Sequence, residues 1–238
     1  MVQEGQGKLS VLQRFEVVNF GYMSIQMVTF PVYPLGCNCT ILYSEESHKA
    51  VVIDPGGEDQ KILSFLKEKQ LILTDILHTH AHFDHCLGSS RLKDAHLDSR
   101  LALHREDLPL YENLEMQCRM FGVPFSKEPI REIGHFLEDE ERLISPDSSH
   151  FEVLFTPGHT PGSVCFLLKT EKDQFLFSGD TLFSGSIGRT DLWGGDSEKI
   201  LRSIEDRIFR LEEETIVIPG HGEMTSVLRE KRSNPFFT

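Results

Sequence analysis

Four apolar runs in this chain each stop at a turn that carries an ionisable side chain, and this repeated ending constrains the fold more than any other feature. LILTDILHTH (71–80) leads into Ala81-His82-Phe83-Asp84-His85, and FEVLFT (151–156) into Pro157-Gly158-His159. QFLFSGD (174–180) ends on Gly179-Asp180, and TIVIPG (215–220) runs into His221. Runs of this length, rich in branched and aromatic residues and bounded by Gly, Pro or Asp, are predicted strands. Their C-terminal ends would deliver the ionisable groups to one edge of a sheet, where loops on a rigid scaffold carry chemistry. ILYSEE, AVVIDPGG and SVCFLLK are further strands by the same pattern. Apolar residues recur at helical spacing over 58–70 (Ile62, Phe65, Leu66) and over 197–212 (Ile200, Leu201, Ile204, Ile208, Leu211), which predicts amphipathic helices. Strands alternating with helices make this an α/β chain. Residues 98–133, rich in Glu and Met and carrying Pro109, Pro124 and Pro129, are expected to form a helical insert or lid. Residues 1–25 are expected to be an N-terminal extension, loose in part, and 26–238 a single domain.

His80, His82, Asp84 and His85 place four donors within six residues, and imidazole with carboxylate suits zinc, iron or manganese. Two histidines at i and i+2 in an extended segment point the same way, so His80 and His82 can grip one ion while Asp84 and His85 face a second. Neither ion is complete from this run alone, and His159, Asp180 and His221 are the candidates to finish them. A closed structural zinc site favours cysteine-rich sets, and no cysteine here has CxxC spacing. Cys37 and Cys39 are expected to pack on a strand and Cys86 inside a helix. His48, His96, His104, His135 and His150 are expected at the surface. His78, two residues before His80, is the remaining histidine placed to line the site.

With 24 basic and 37 acidic residues the formal charge is −13, so the surface repels phosphate backbones and no nucleic-acid partner is expected. Five cysteines spread thinly do not make a disulfide scaffold, which fits a reducing cytoplasm. No run approaches the roughly 18–20 apolar residues of a spanning helix, and the start lacks the pattern of an export signal, so no membrane partner is expected.

Thr79 to His85, taken with Thr156-Pro157-Gly158-His159-Thr160-Pro161-Gly162-Ser163, Ser178-Gly179-Asp180-Thr181, Pro219-Gly220-His221-Gly222 and Ile53-Asp54-Pro55-Gly56, resembles the motif set of the metallo-β-lactamase superfamily. The resemblance implies a four-layer αββα sandwich with metals at one edge. It places His80, His82 and His159 on a first ion and Asp84, His85 and His221 on a second. Asp180 would bridge the two, and Asp54 would support the ligands from behind. True β-lactamases carry a cysteine where Asp180 stands, so antibiotic hydrolysis is not expected. The run Phe183 to Asp191 and the ending from Gly220 through Phe236 resemble short glyoxalase II-type hydrolases. The chain ends before the helical domain with which long glyoxalase II enzymes grip glutathione. Arg189 would then anchor an anionic substrate or pair with Asp191.

The implied reaction is hydrolysis of a small-molecule thioester such as S-lactoylglutathione to lactate and glutathione. Two divalent ions, zinc first with iron or manganese as alternatives, would lower the pKa of a shared water from about 15.7 toward ~7. The resulting bridging hydroxide would be the nucleophile, with Asp84 as the catalytic group that orients it and relays its proton. The rival is a persulfide dioxygenase using one iron on His80, His159 and Asp180, a facial triad. A metal-dependent nuclease is disfavoured by the acidic balance. Oligomeric state is open.

Overall fold

The computed structural model describes residues 16–18, 25–125 and 129–238. The expected N-terminal extension lies outside the described residues except for Glu16–Val18 and Ile25.

The first half of the chain builds a seven-stranded sheet in simple sequence order. Its strands are β1 (Glu16–Val18), β2 (Gln26–Val32), β3 (Cys37–Ser44), β4 (Lys49–Ile53), β5 (Ile72–Leu77), β6 (Arg100–His104) and β7 (His135–Leu137). β1 to β4 pair antiparallel, and β4 to β7 pair parallel through crossovers. The crossover between β4 and β5 is α1 (Asp59–Glu68). The one between β5 and β6 carries α2 (Phe83–Cys86) and α3 (Ser89–Ala95). The one between β6 and β7 carries α4 (Leu108–Tyr111) and α5 (Leu114–Met120).

The second half makes a six-stranded sheet in the order β15-β14-β11-β10-β9-β8. These are β8 (Arg142–Ile144), β9 (His150–Phe155), β10 (Val164–Lys169), β11 (Gln174–Gly179), β14 (Ile216–Pro219) and β15 (Thr225–Ser226). A small hairpin of β12 (Leu182–Phe183) and β13 (Ser186–Ile187) follows β11. α6 (Ser197–Ser203) and α7 (Val227–Ser233) complete the chain.

Three apolar seams make this a four-layer αββα sandwich, as expected. Successive residues of a strand point to opposite faces. On β3, Cys39, Ile41 and Tyr43 pack with Ile62 and Phe65 of α1, while Leu42 packs toward the other sheet. On β10, Val164, Phe166 and Leu168 enter the middle seam, while Cys165 and Leu167 meet Ile200 and Ile204 of the outer helical layer. Burial on both faces explains why these strands read as near-continuous apolar runs. Phe166 is fully buried in the middle seam with Phe151 and Phe177. Phe166→Ala should therefore cost about 3–5 kcal/mol, measured as a lower denaturant midpoint with an unchanged slope.

Two expectations are corrected. Residues 98–133 are not simply a helical insert, because they begin with β6, a strand paired between β5 and β7. The helix expected over 197–212 ends at Ser203, and Ile204–Ile208 continues as a π-type turn. Among the described residues no helix is long and apolar enough to cross a membrane.

Candidate metal centre

β9 and β11 both run antiparallel to β10, and β14 is parallel to β11, so β9, β11 and β14 share one direction and end at one edge of the second sheet. His159, Asp180 and His221 follow those three strand ends. In the first sheet β5 stops at Leu77, three residues earlier than the sequence pattern predicts. The chain then runs extended at His82 before turning into α2, which carries Asp84 and His85. Asn38, at the start of β3, ties the two sheets together here: its side-chain amide donates to the carbonyls of Pro219 (2.9 Å) and Gly222 (3.0 Å).

All seven expected donors converge. His80, His82 and His159 form one buried group and Asp84, His85 and His221 another, with the ligand atoms of each group within 4.8 Å of one another. His82 Nδ1 lies 3.1 Å from His80 Nε2 and 2.9 Å from His159 Nε2. A tetrahedral ion with metal–nitrogen bonds of about 2.0–2.1 Å holds its nitrogens about 3.3 Å apart, so this trio needs only slight spreading to take one. In the second group Asp84 Oδ2 is 3.2 Å from His221 Nε2 and 3.7 Å from His85 Nε2. Asp180 stands between the groups, with Oδ1 3.5 Å from His85 Nε2 and Oδ2 3.6 Å from His159 Nε2 and 3.7 Å from His221 Nε2.

The donor chemistry fits divalent cations. Among the described residues, His85 Nε2 and Asp180 Oδ1 are the buried side-chain atoms left without a hydrogen-bond partner. A buried orphan costs about 1–3 kcal/mol unless something satisfies it, and these two face each other. Burial, with neighbouring histidines, lowers His80 well below its ordinary pKa and His82 to about 3. Burial also lowers His159. All three are thus neutral imidazoles with free lone pairs, the form that ligates metal. Burial alone would raise Asp84, but His85 and His221 overcome it and hold that carboxyl at about 2. Burial alone would lower His85, but Cys37 and then Asp84, Asp180 and Asp54 outweigh it and raise its pKa well above the ordinary value. A site that draws a proton onto a buried imidazole is a site that favours positive charge.

The rear nitrogens of three of the ligands are also held, which fixes tautomer and ring orientation. His80 Nδ1 meets Thr79 Oγ1 at 3.0 Å, His85 Nδ1 meets Asp54 Oδ2 at 3.0 Å, and His159 Nδ1 donates to the Arg189 carbonyl at 2.7 Å. Asp54 further accepts from the Thr79 amide (2.8 Å) and hydroxyl (2.7 Å), so one carboxylate supports ligands of both groups. It does so from a left-handed backbone, φ +50°, rare for a residue with a side chain.

Several residues depart from expectation. Cys37 is not simple packing: its Sγ lies 3.3 Å from His85 Nδ1, and burial pushes its thiol up to about 12. His78 does not line the site. It is fully buried behind it, bonded to the Ala102 carbonyl (2.9 Å) and Ser89 Oγ (2.6 Å). Arg189 spends its guanidinium on Asp191 in a two-point pair of 2.7 and 2.8 Å, and reaches the centre through its backbone carbonyl. Cys37, Asn38 and Thr79 were not foreseen as partners of the site. Only Thr79, adjacent to His80, carried a sequence signal.

Comparison with known proteins agrees with this geometry. The family model described as the metallo-beta-lactamase superfamily matches residues 32–221. The hydroxyacylglutathione hydrolase GloC of Haemophilus influenzae is 36% identical over 219 residues, covering 90% of this chain and 98% of that protein. Among solved structures, TTHA1623 in a di-iron-bound form superimposes with a TM-score of 0.76 at 40% identity, covering 87% of this chain and 98% of that one. The BLEG-1 B3 metallo-beta-lactamase superimposes with a TM-score of 0.79 at 38% identity, covering 89% and 99%.

Proposed function

The chain belongs to the metallo-beta-lactamase superfamily of metal-dependent hydrolases, and from that premise we propose that it cleaves small thioesters as glyoxalase II does, releasing a hydroxy acid and a thiol. The observation that carries this reading is the pair of donor groups, the second half-open at His221, with Asp180 close to both and two unsatisfied atoms, on His85 and Asp180, turned toward each other. His80, His82 and His159 would hold one divalent ion, Asp84, His85 and His221 the other, and Asp180 both. When bound, such ions bring the pKa of a shared water toward neutrality and polarise a carbonyl.

The chain's own groups then divide the work. Asp84, ionised throughout the neutral range, is an acceptor that orients the water and takes its proton. His80 and His159 stay fixed through their rear hydrogen bonds. Water adds its hydroxyl to the acyl carbon and its proton ends on the departing sulfur. A thiolate is a good leaving group, so no strong acid is required beside it. Arg189 lies near enough for its charge to help lower the pKa of His82. A substrate carboxylate could engage the guanidinium N–H groups that the Asp191 pair leaves over, or displace Asp191.

S-lactoylglutathione is the substrate to test, on protein purified without chelators. Two metal ions per chain and turnover of this thioester are expected, with turnover falling more than about 100-fold on dialysis against a strong chelator and returning with zinc. One iron per chain with oxygen uptake on glutathione persulfide would replace the reading with the dioxygenase. Preferential opening of a β-lactam, the competing substrate raised by the likeness to BLEG-1, would replace it with a lactamase.

A further inference from the structure

Between β6 and α5 the chain reaches across the sheet edge and grips the metal-ligand loops from outside. Asp107, fully buried, is the centre of that grip. Its Oδ2 accepts from the Ala81 amide at 2.8 Å and from Thr160 Oγ1 at 2.8 Å, and its Oδ1 accepts from the Gly162 amide at 2.6 Å. Ala81 is the residue between His80 and His82. Thr160 and Gly162 follow His159. One carboxylate therefore ties the two loops that carry the first donor group, and these loops come from different sheets. Gln117 of α5 secures the other side of Ala81, donating to its carbonyl at 3.0 Å while accepting from the Phe83 amide at 3.2 Å. The approach is close enough to require glycine at 162, where an added Cβ would fall 2.6 Å from the Asp107 amide nitrogen and 2.8 Å from its Cβ. Asp84, His85 and His221 have no such tie to Asp107.

We infer that Asp107 is a positioning residue that sets the spacing of His80, His82 and His159, and so tunes metal affinity at that group alone. The inference rests on the ligand assignment proposed above. Outer partners of metal ligands typically change affinity about 10- to 100-fold, and a carboxylate serving three donors across two loops belongs to that class. Asp107→Asn keeps the shape but turns an N–H toward donors it cannot accept from.

The test is zinc retention by the metal-loaded protein against a graded chelator, in two backgrounds. His221→Ala leaves the first group intact and His80→Ala leaves the second. In the His221→Ala background Asp107→Asn should weaken retention about 10- to 100-fold, and in the His80→Ala background it should leave retention unchanged. Equal weakening in both backgrounds, or none in the first, overturns the inference and leaves the ligand assignment standing. If neither background loses zinc relative to the parent, the assignment and the inference both fall. Should Asp107→Asn not fold, Thr160→Val removes one of the three donors without altering the carboxylate. It should give a smaller loss confined to the His221→Ala background, and a loss in both or in neither overturns the inference.

Discussion

Asp180→Ala should empty the centre and stop turnover together. Its carboxylate stands within 4 Å of donors in both groups, with its two oxygens divided between His85 on one side and His159 and His221 on the other. Its loss leaves each group of three open toward the other and removes the anion that offsets two cations at close range. Loss of an outer partner typically costs 10- to 100-fold in affinity or activity, so removal of a group facing both donor groups should exceed about 100-fold in each. Metal analysis and thioester turnover on the same preparation check it, with circular dichroism to establish that the fold persists. Turnover surviving in the variant would show that Asp180 is not shared between the groups.

Gly220→Ala is expected to act nearly as strongly from a residue with no functional group. Gly220 follows β14, and its amide donates to the Gly179 carbonyl at 2.8 Å, which locks the ends of β11 and β14 side by side. A Cβ added there would run into Asp180 Oδ1 and come within 2.9 Å of His85 Cε1. The carboxylate would have to leave the position from which it faces both donor groups. Metal content and turnover should each fall by more than about tenfold. The middle seam, which Gly220 does not enter, should keep its packing, so the thermal transition of the chelated protein should shift little. A large destabilisation with retained metal would mean that the close contact relaxes through the strand end and not through Asp180.

The donors were readable in advance because few residue types ligate divalent ions, because four of them crowd into the six residues after one strand pattern, and because His159, Asp180 and His221 each stand where another breaks at Gly or Pro. Asp54 was readable only through the likeness of Ile53-Asp54-Pro55-Gly56 to the superfamily's first motif. β2 and β6 were not. QMVTFPV contains a proline and lacks a clear alternation, and RLALH offers five residues among charged neighbours, so their assignment depends on partner strands. The same is true of the site's supports. Asp107 reaches residues 26 to 55 positions away in the chain and Gln117 reaches Ala81 36 positions back, and apart from the Thr160 hydroxyl the groups they meet are backbone amides and a carbonyl that ordinary residues share. Nothing in side-chain type marks such a target. Cys37 looked like one more strand residue because its neighbour His85 lies 48 positions on. Arg189 shows the converse, since a guanidinium draws notice in a sequence while the carbonyl that fixes His159 does not.

Each donor group takes two residues from the crossover after β5, one pair on its loop and the other on α2, and one from the opposite sheet, His159 in one case and His221 in the other. The apolar middle seam joins the two halves of the molecule by area, without direction. A cation seated in either group would act instead as a rivet at the rim, with bonds of fixed length and angle spanning the N-terminal and C-terminal halves. Ligand occupancy and folding are then thermodynamically linked, because the dispersed chain offers no such cage. Starvation for metal would register in this protein first as loosened halves and a lower melting point, and not only as lost turnover.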